Sequence, residues 1–251
     1  MNNARLWHAL GLGPRWRERA GAGATPDVAP GGLERDAATA LAPAHGSHAA
    51  SVAELGWDDL QQTVAACTAC GLCQTRTQTV FGVGQRDAHW LFVGEAPGAE
   101  EDARGEPFVG QAGRLLDNML AAAGLGRDGA GAQGVFIANV LKCRPPGNRN
   151  PQPEEVAACA HFLQRQIALL KPRIIVLMGR FAAQALLGTE ATIGSLRGRV
   201  HCLPLPGGGP ATVPAVVTYH PAYLLRNLAD KAKSWDDLCL ALDAYRAVSA
   251  G

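Results

Sequence analysis

The chain has 251 residues, enough for one sizeable domain with a tail or for two small domains. Its 47% hydrophobic content is ordinary for a globular protein, and its apolar runs are too short to cross a bilayer, so no membrane segment is expected. The net charge of +1 excludes a strongly basic or acidic protein, although a local basic patch remains compatible with it. The first residues lack the pattern of a signal peptide, which predicts a cytoplasmic location.

Residues 1–55 differ in composition from the rest of the chain. Residues 20–52 are rich in Ala, Gly, Pro and Ser and carry too few large apolar side chains to form a core, so a flexible linker is predicted there. Residues 4–20 contain leucine, tryptophan and arginine and are compatible with a short docking helix or with a frayed tail. We therefore predict an N-terminal extension over 1–55 and a folded domain over 56–251.

From residue 57 onward, short apolar segments alternate with longer amphipathic ones. Strands are predicted at 89–94, 135–140, 173–179 and 214–219, and helices at 57–67, 112–124, 153–170, 180–188 and 235–248. This alternation predicts an α/β domain with helices layered around a mainly parallel sheet.

Polar motifs follow three of the four predicted strands. "GEAPGAEED" comes after the first, "KCRPPGNRN" after the second, and "HPAYLLR" after the last. Ligands of open α/β sheets bind beyond the carboxyl ends of the strands. The sequence therefore predicts one cleft lined by these three motifs.

Seven cysteines in a chain without an export signal disfavour a disulfide framework. The spacing of four of them suits a tetrahedral thiolate site, for zinc or for an iron–sulfur cluster, and does not separate these metals: Cys67, Cys70, Cys143 and Cys159. Buried thiols are the alternative for all four. Cys73 extends the C-x-x-C pattern, whereas Cys202 and Cys239 stand alone in apolar surroundings and are predicted to be buried free thiols.

The glycine-rich turn after the first strand carries candidate site residues. Glu95, between the strand and "APG", is placed where a functional carboxylate would lie, whereas most of the other acidic residues of 94–113 are expected to face water. Phe108, between proline and valine in a polar loop, suits stacking on a planar ligand or anchoring in the core.

Two further candidate side chains lie at the carboxyl ends of predicted strands. Asn139 offers an amide donor and acceptor that suit the edge of a pyrimidine, or a cap for the following turn. His220 precedes a proline that ends its strand, and is expected either to donate a hydrogen bond into the cleft or to be structural.

Taken together, these motifs resemble the family 4 uracil-DNA glycosylases, the iron–sulfur type, over about residues 60–245. The resemblance rests on the C-x-x-C pair, "GEAPGAEEDARGEPFVGQAG", "NVLKCRPPGNRNP", the cysteine at 159 and "HPAYLLRN". It implies the glycosylase fold, a layered αβα domain around a central, mainly parallel four-stranded sheet.

The resemblance also implies a cofactor and a pocket. Cys67, Cys70, Cys143 and Cys159 match the ligands of a [4Fe-4S] cluster, and Cys73 falls outside that set. The uracil pocket matches Gly94, Glu95, Ala96, Pro97, Phe108, Asn139 and His220. The catalytic positions match Glu95, Glu101 and His220.

The implied reaction is hydrolysis of the bond between uracil and deoxyribose in DNA repair, after the nucleotide has flipped out of the helix. The expected partner is single- or double-stranded DNA that contains uracil, bound by a monomeric protein. The region after Asn139 lacks the basic insert of a covalent-trapping relative, which favours hydrolysis. Candidate DNA contacts are Lys142, Arg144, Asn148, Arg149, Arg197 and Arg226.

Two other functions fit part of the pattern. A non-catalytic nucleic-acid-binding module with a four-cysteine metal site explains the cysteines and arginines but gives Glu95, Phe108 and His220 no role. An iron–sulfur electron carrier has no need of an aromatic, an amide and an imidazole in one cleft.

Overall fold

The computed structural model describes residues 52–206 and 212–249. The helix considered near 4–20 lies outside these residues, as does the predicted linker apart from its last residue. No helix in the described ranges is long and apolar enough to cross a membrane.

The centre of the fold is a six-stranded sheet. Its strands are β1 (Val83–Gly84), β2 (Trp90–Gly94), β3 (Val135–Asn139), β4 (Ile174–Met178), β5 (Val200–Pro204) and β6 (Thr212–Thr218), in the order β1-β3-β2-β4-β6-β5. The four inner strands run parallel to one another and are the four that the sequence predicts.

The two edge strands pair antiparallel with their neighbours and were missed by the sequence analysis. β1 has only two residues, and β5 is largely solvent-accessible and ends in a proline. Short strands and prolines are typical of sheet edges, where the apolar pattern of a buried strand is absent.

Eight α-helices accompany the sheet in the described residues. They are α1 (Trp57–Ala65), α2 (Ala99–Arg104), α3 (Gln111–Ala123), α4 (Pro153–Leu170), α5 (Arg180–Leu187), α6 (Ile193–Leu196), α7 (Pro221–Leu224) and α8 (Lys231–Ser249). The start of α4 shows why its sequence forms a helix: proline occupies its first turn, and the Glu155 carboxylate accepts the Gln152 backbone N–H at 2.9 Å.

Two apolar cores cover the two faces of the sheet. Alternate residues of each inner strand enter opposite cores; on β2, Leu91 and Val93 face one, while Trp90 and Phe92 face the other. Helices α1, α4 and α5 contribute to the first core, and α3, α7 and α8 to the second. The expected three-layer αβα arrangement is confirmed, and its parallel strands all end at one edge of the sheet.

Candidate active site and cysteine cavity

Two inner strands bring their last residues together. Gly94 and Asn139 end β2 and β3 and are direct partners in the parallel register. A Cβ atom on Gly94 would lie 2.4 Å from Asn139 Oδ1 and 2.7 Å from Phe108 Cζ. Only glycine therefore lets the strand end, the amide and the aromatic ring meet at this point.

Asn139 carries a buried polar atom without a partner. The residue is 2% exposed, and its Oδ1 accepts no hydrogen bond from any described group. Leaving such an acceptor unsatisfied costs free energy, so native proteins rarely keep one without a reason. The amide oxygen is consequently ready to accept a hydrogen bond from a ligand N–H.

The rings of Phe108 and His220 lie almost parallel, with centroids 5.4 Å apart and planes 30° apart. His220 Nδ1 accepts the Ala222 backbone N–H at 3.1 Å, which places the proton of the neutral ring on Nε2. Burial and, secondarily, Arg226 lower the pKa of His220 to about 4, against the opposing effect of Glu101. The ring is therefore a neutral donor at pH 7.

Glu95 is half-buried in the turn that follows β2. Burial raises the pKa of its carboxyl group to about 7, although the charge of Arg180 acts in the opposite direction. The next two residues of the turn, Ala96 and Pro97, are half-buried and buried. A carboxyl group with a pKa near the working pH can exchange protons during a reaction.

The Glu101 carboxylate accepts hydrogen bonds from three backbone N–H groups. Oε2 accepts the Gly98 N–H at 3.1 Å, while Oε1 accepts the N–H groups of Val109 at 3.1 Å and Gly110 at 3.3 Å. It thus ties the start of α2 to the loop that carries Phe108.

The predicted metal ligands meet in one cavity. Cys67 and Cys70 follow α1, Cys143 follows β3, and Cys159 lies on α4; all four line one small cavity. Cys73 lines the same cavity, so five thiols surround it. The predicted burial of the two remaining thiols is wrong for Cys202, which is exposed on the edge strand β5, and Cys239 is only half-buried on α8.

Three of the sulfur atoms accept N–H hydrogen bonds. Arg76 Nη1 donates to Cys143 Sγ at 3.0 Å, the Lys142 backbone N–H to Cys159 Sγ at 3.3 Å, and the Ala69 N–H to Cys67 Sγ at 3.5 Å. Such donors stabilise thiolates and tune metal–sulfur centres.

Burial raises the pKa of the Cys159 thiol to about 12, and also raises that of Cys143. A metal centre would therefore have to displace these protons when it binds. Within residues 52–206 and 212–249, no three His, Cys, Asp or Glu side chains converge closely enough to hold a single metal ion. The shared cavity and its donors nevertheless fit a sulfur-ligated group.

Two predicted DNA contacts point inward, and the structure corrects them. Lys142 is 1% exposed, and its Nζ donates to the Asn139 carbonyl at 2.8 Å and to Gln166 Oε1 at 2.6 Å. The Arg197 side chain is 12% exposed and pairs with the buried carboxylate of Asp237 at 2.7 Å. Since both charges are used inside the fold, neither is available to a phosphate.

The other four predicted contacts are nearer to solvent. Arg226 and Asn148 are exposed, while Arg144 is half-buried and donates to Asn148 Oδ1 at 2.7 Å. Arg149 makes a double ion pair with Glu155, at 2.5 and 2.9 Å, which neutralises part of the charge of this loop.

The sequence analysis missed three arginines that influence these residues, two through hydrogen bonds and one through its charge. Arg180 acts on Glu95, Arg76 donates to Cys143, and Arg127 donates to the carbonyl of Phe108. Each lies at a loop or a helix start with no motif around it, so its role depends on contacts between distant segments.

Comparison with known proteins agrees with this geometry. The profile of the Uracil DNA glycosylase superfamily matches residues 81–239. A type-4 uracil-DNA glycosylase of Archaeoglobus fulgidus is 45% identical over 172 residues, covering 67% of this chain and 82% of its own. One of Thermotoga maritima is 44% identical over 176 residues, covering 69% and 85%. A type-5 enzyme of Thermus thermophilus is 38% identical over 142 residues, covering 51% and 64%. The chain belongs to the uracil DNA glycosylase superfamily.

Proposed function

We propose that this protein is a DNA-repair glycosylase that hydrolyses the bond between uracil and deoxyribose and leaves an abasic site. The observation that carries the proposal is the unpaired, buried Oδ1 of Asn139 near the ring of Phe108, which itself stacks on His220. The superfamily profile and the type-4 relatives support the same activity.

Recognition of uracil follows from the amide. Asn139 Oδ1 accepts the ring N–H of uracil, and the Phe108 ring stacks on the base. Cytosine has no N–H at that ring position, so it would leave the buried oxygen unpaired. Sites built around a hydrogen bond to the substrate reject analogues that lack it.

Bond cleavage moves negative charge onto uracil and positive charge onto the sugar. The Nε2–H of His220 donates to the uracil carbonyl and stabilises the leaving anion without giving up its proton. The Glu95 carboxylate favours the sugar cation and orients the attacking water. We assign Glu101 a positioning role, because its oxygens hold the backbone of the two pocket loops.

The proposed DNA-binding surface surrounds the loop after His220. Leu225 is 38% exposed and Leu228 is 62% exposed, and exposed Arg226 lies between them. Apolar side chains that enter the base stack help to extrude a nucleotide, and arginines bind the flanking phosphates. We propose that uracil-containing DNA is bound here, and that residues 56–251 form the catalytic domain.

We further propose that Cys67, Cys70, Cys143 and Cys159 hold a [4Fe-4S] cluster. The common cavity and the N–H donors to the sulfurs support this assignment. When bound, such a group would link α1, the loop after β3 and α4. Its role would be structural and not redox, because hydrolysis of a glycosidic bond transfers no electrons.

The proposed function is tested by incubating the protein with an oligonucleotide that contains one uracil, followed by alkaline cleavage at abasic sites. We expect cleavage with uracil and none with cytosine at the same position. Asn139→Leu and His220→Leu should each lower excision by roughly two orders of magnitude, as expected for losing a hydrogen bond that acts in the transition state. Intact uracil substrate, in both single- and double-stranded form, would refute the proposal.

A further inference from the structure

The backbone at Phe108 adopts a conformation that its residue type disfavours. Its φ is 56°, and only Asn148 and Lys171 share a positive φ among the described residues other than glycine. A bulky side chain is strained there and keeps such a conformation only if its surroundings impose it. The ring of Phe108 is 6% exposed and faces His220, so this conformation determines where the ring lies in the pocket.

Arg127 donates two hydrogen bonds to the backbone at Phe108. Its Nη2 donates to the Phe108 carbonyl at 2.7 Å and its Nη1 donates to the Pro107 carbonyl at 2.9 Å. Two acidic side chains hold the guanidinium itself: Asp117 accepts from Nε at 2.8 Å, and Glu106 accepts from Nη1 at 3.2 Å. The arginine side chain is only 16% exposed, although the two carboxylates are about half exposed, at 47% and 49%.

The loop is also closely packed from the side of α3. A Cβ atom on Gly113 would lie 1.7 Å from the Phe108 carbonyl oxygen, so the helix approaches that carbonyl as closely as glycine permits. On the other side, Glu101 accepts the Val109 N–H. The peptide groups on both sides of Phe108 are thus fixed.

The backbone next to Arg127 is itself held in place by hydrogen bonds at the start of β3. Gly126 forms a parallel bridge with Gly134, and its carbonyl accepts the Val135 N–H at 3.3 Å, so the arginine extends from a loop joined to the start of β3. A contact that spans about 20 residues of sequence thereby connects the sheet with the pocket loop.

We propose that Arg127 is a positioning residue for uracil binding: by donating to two consecutive carbonyl groups, it holds Phe108 in the strained conformation that presents its ring to the base. This inference rests on the proposed function, in which Phe108 stacks on uracil. The planar fork of the guanidinium presents separate nitrogen donors to the two carbonyls, whereas a lysine would have to serve both from a single nitrogen.

The test measures inhibition of excision by free uracil in a double-mutant cycle. The single variants are Arg127→Met and Phe108→Ala, the double variant combines them, and Arg127→Lys keeps the charge without the fork. Arg246→Met is the matched control, because Arg246 pairs with Asp243 on an exposed surface. Thermal unfolding of each variant is recorded in parallel.

We expect Arg127→Met to raise the uracil inhibition constant about tenfold and Arg127→Lys to raise it by a similar factor, with Arg246→Met unchanged. In the Phe108→Ala background, Arg127→Met should add less than about a twofold further loss, because its effect is exerted through the ring.

Three outcomes are decisive. Independent, multiplicative losses in the double variant would overturn the inference, as would a lower unfolding temperature with unchanged uracil inhibition. An unchanged inhibition constant in Phe108→Ala would instead refute the stacking role of Phe108 in the proposed function. If Arg127→Met does not fold, the same cycle with Arg127→Lys decides between these results.

Discussion

At the scale of single residues, two titratable groups of the pocket have pKa values shifted in opposite directions. Glu95 has a pKa raised to about 7 and His220 has one lowered to about 4, and burial is the main cause of both shifts. Burial disfavours whichever form is charged, so it keeps the imidazole neutral and makes the carboxyl group harder to ionise. A neutral donor and a carboxylate can consequently coexist above pH 7.

Replacing Glu95 by glutamine should change the pH dependence of excision. In the unmodified protein the rate should rise as pH increases through about 7, because the carboxylate form acts on the sugar cation and water. Glu95→Gln should remove this inflection and lower the rate at pH 8 by roughly 10² or more. Single-turnover rates between pH 5 and 9 measure both effects; an inflection retained in the variant would contradict this role.

The same two shifts give opposite contributions to stability. The protonated form of Glu95 is favoured in the folded state, so its contribution to the free energy of unfolding decreases as pH rises from about 4.5 to about 7. For His220 the folded state binds the proton less well, so its contribution increases as pH rises from about 4 to about 6.5. His220→Gln should remove the rising contribution, so that the free energy of unfolding, measured by urea denaturation, falls more steeply with pH between about 4.5 and 6.5 than in the unmodified protein. A profile that keeps the slope of the unmodified protein would contradict the lowered pKa.

At the scale of elements, the pocket depends on the close approach of β2 and β3. The parallel register places Gly94 beside Asn139, and both strands are continuous apolar runs that a sequence can specify. Which strand lies beside which is decided by the helices that cross over between them, so sequence periodicity alone does not determine the neighbours.

Gly94→Ala is therefore expected to disrupt the pocket with little effect on the rest of the fold. The new methyl group would meet Asn139 Oδ1 and the Phe108 ring, and would displace one or both. Excision efficiency, kcat/KM, should drop by more than about tenfold. Gly194→Ala is the matched control, because a Cβ atom there has no neighbour within 4 Å. Equal activity in the two variants would contradict the tight contact at the strand ends.

At the scale of the whole molecule, the cysteine cavity joins segments that are far apart in the sequence. Cys67 and Cys70 lie beyond α1, whereas Cys159 belongs to α4, and the buried ammonium group of Lys142 links the same region to the carbonyl of Asn139. A group bound in this cavity would accordingly support the end of β3 and with it one wall of the pocket.

Cys143→Ser should abolish binding of iron. We expect about four iron atoms per chain in the unmodified protein after anaerobic purification, and a loss of most of them together with the visible absorbance in the variant. Cys202→Ser, which alters an exposed thiol outside the cavity, should retain both. Cys73→Ser should also retain them; loss of iron in this variant would show that Cys73 is a ligand and that the assigned set is wrong.

The sequence alone determined the four inner strands and the long helices, because each is a buried element whose apolar pattern is local. It also placed Asn139 and His220 at strand ends, since polar residues directly after buried strands reach the same edge of a parallel sheet. The fold class predicted in this way is confirmed, and the superfamily matches the resemblance seen in the motifs.

Only the tertiary structure decided which groups the basic side chains contact. Lys142 and Arg197 carry ordinary basic side chains in sequence, yet they turn inward because buried acceptors and a buried carboxylate balance them. Three other arginines likewise act on distant segments: Arg127 donates to the Phe108 carbonyl, Arg76 donates to Cys143 Sγ, and the charge of Arg180 opposes the rise in the pKa of Glu95. Hydrogen bonds and ion pairs between distant segments leave no periodic pattern in a sequence, because they depend on distances that exist only after the chain has folded.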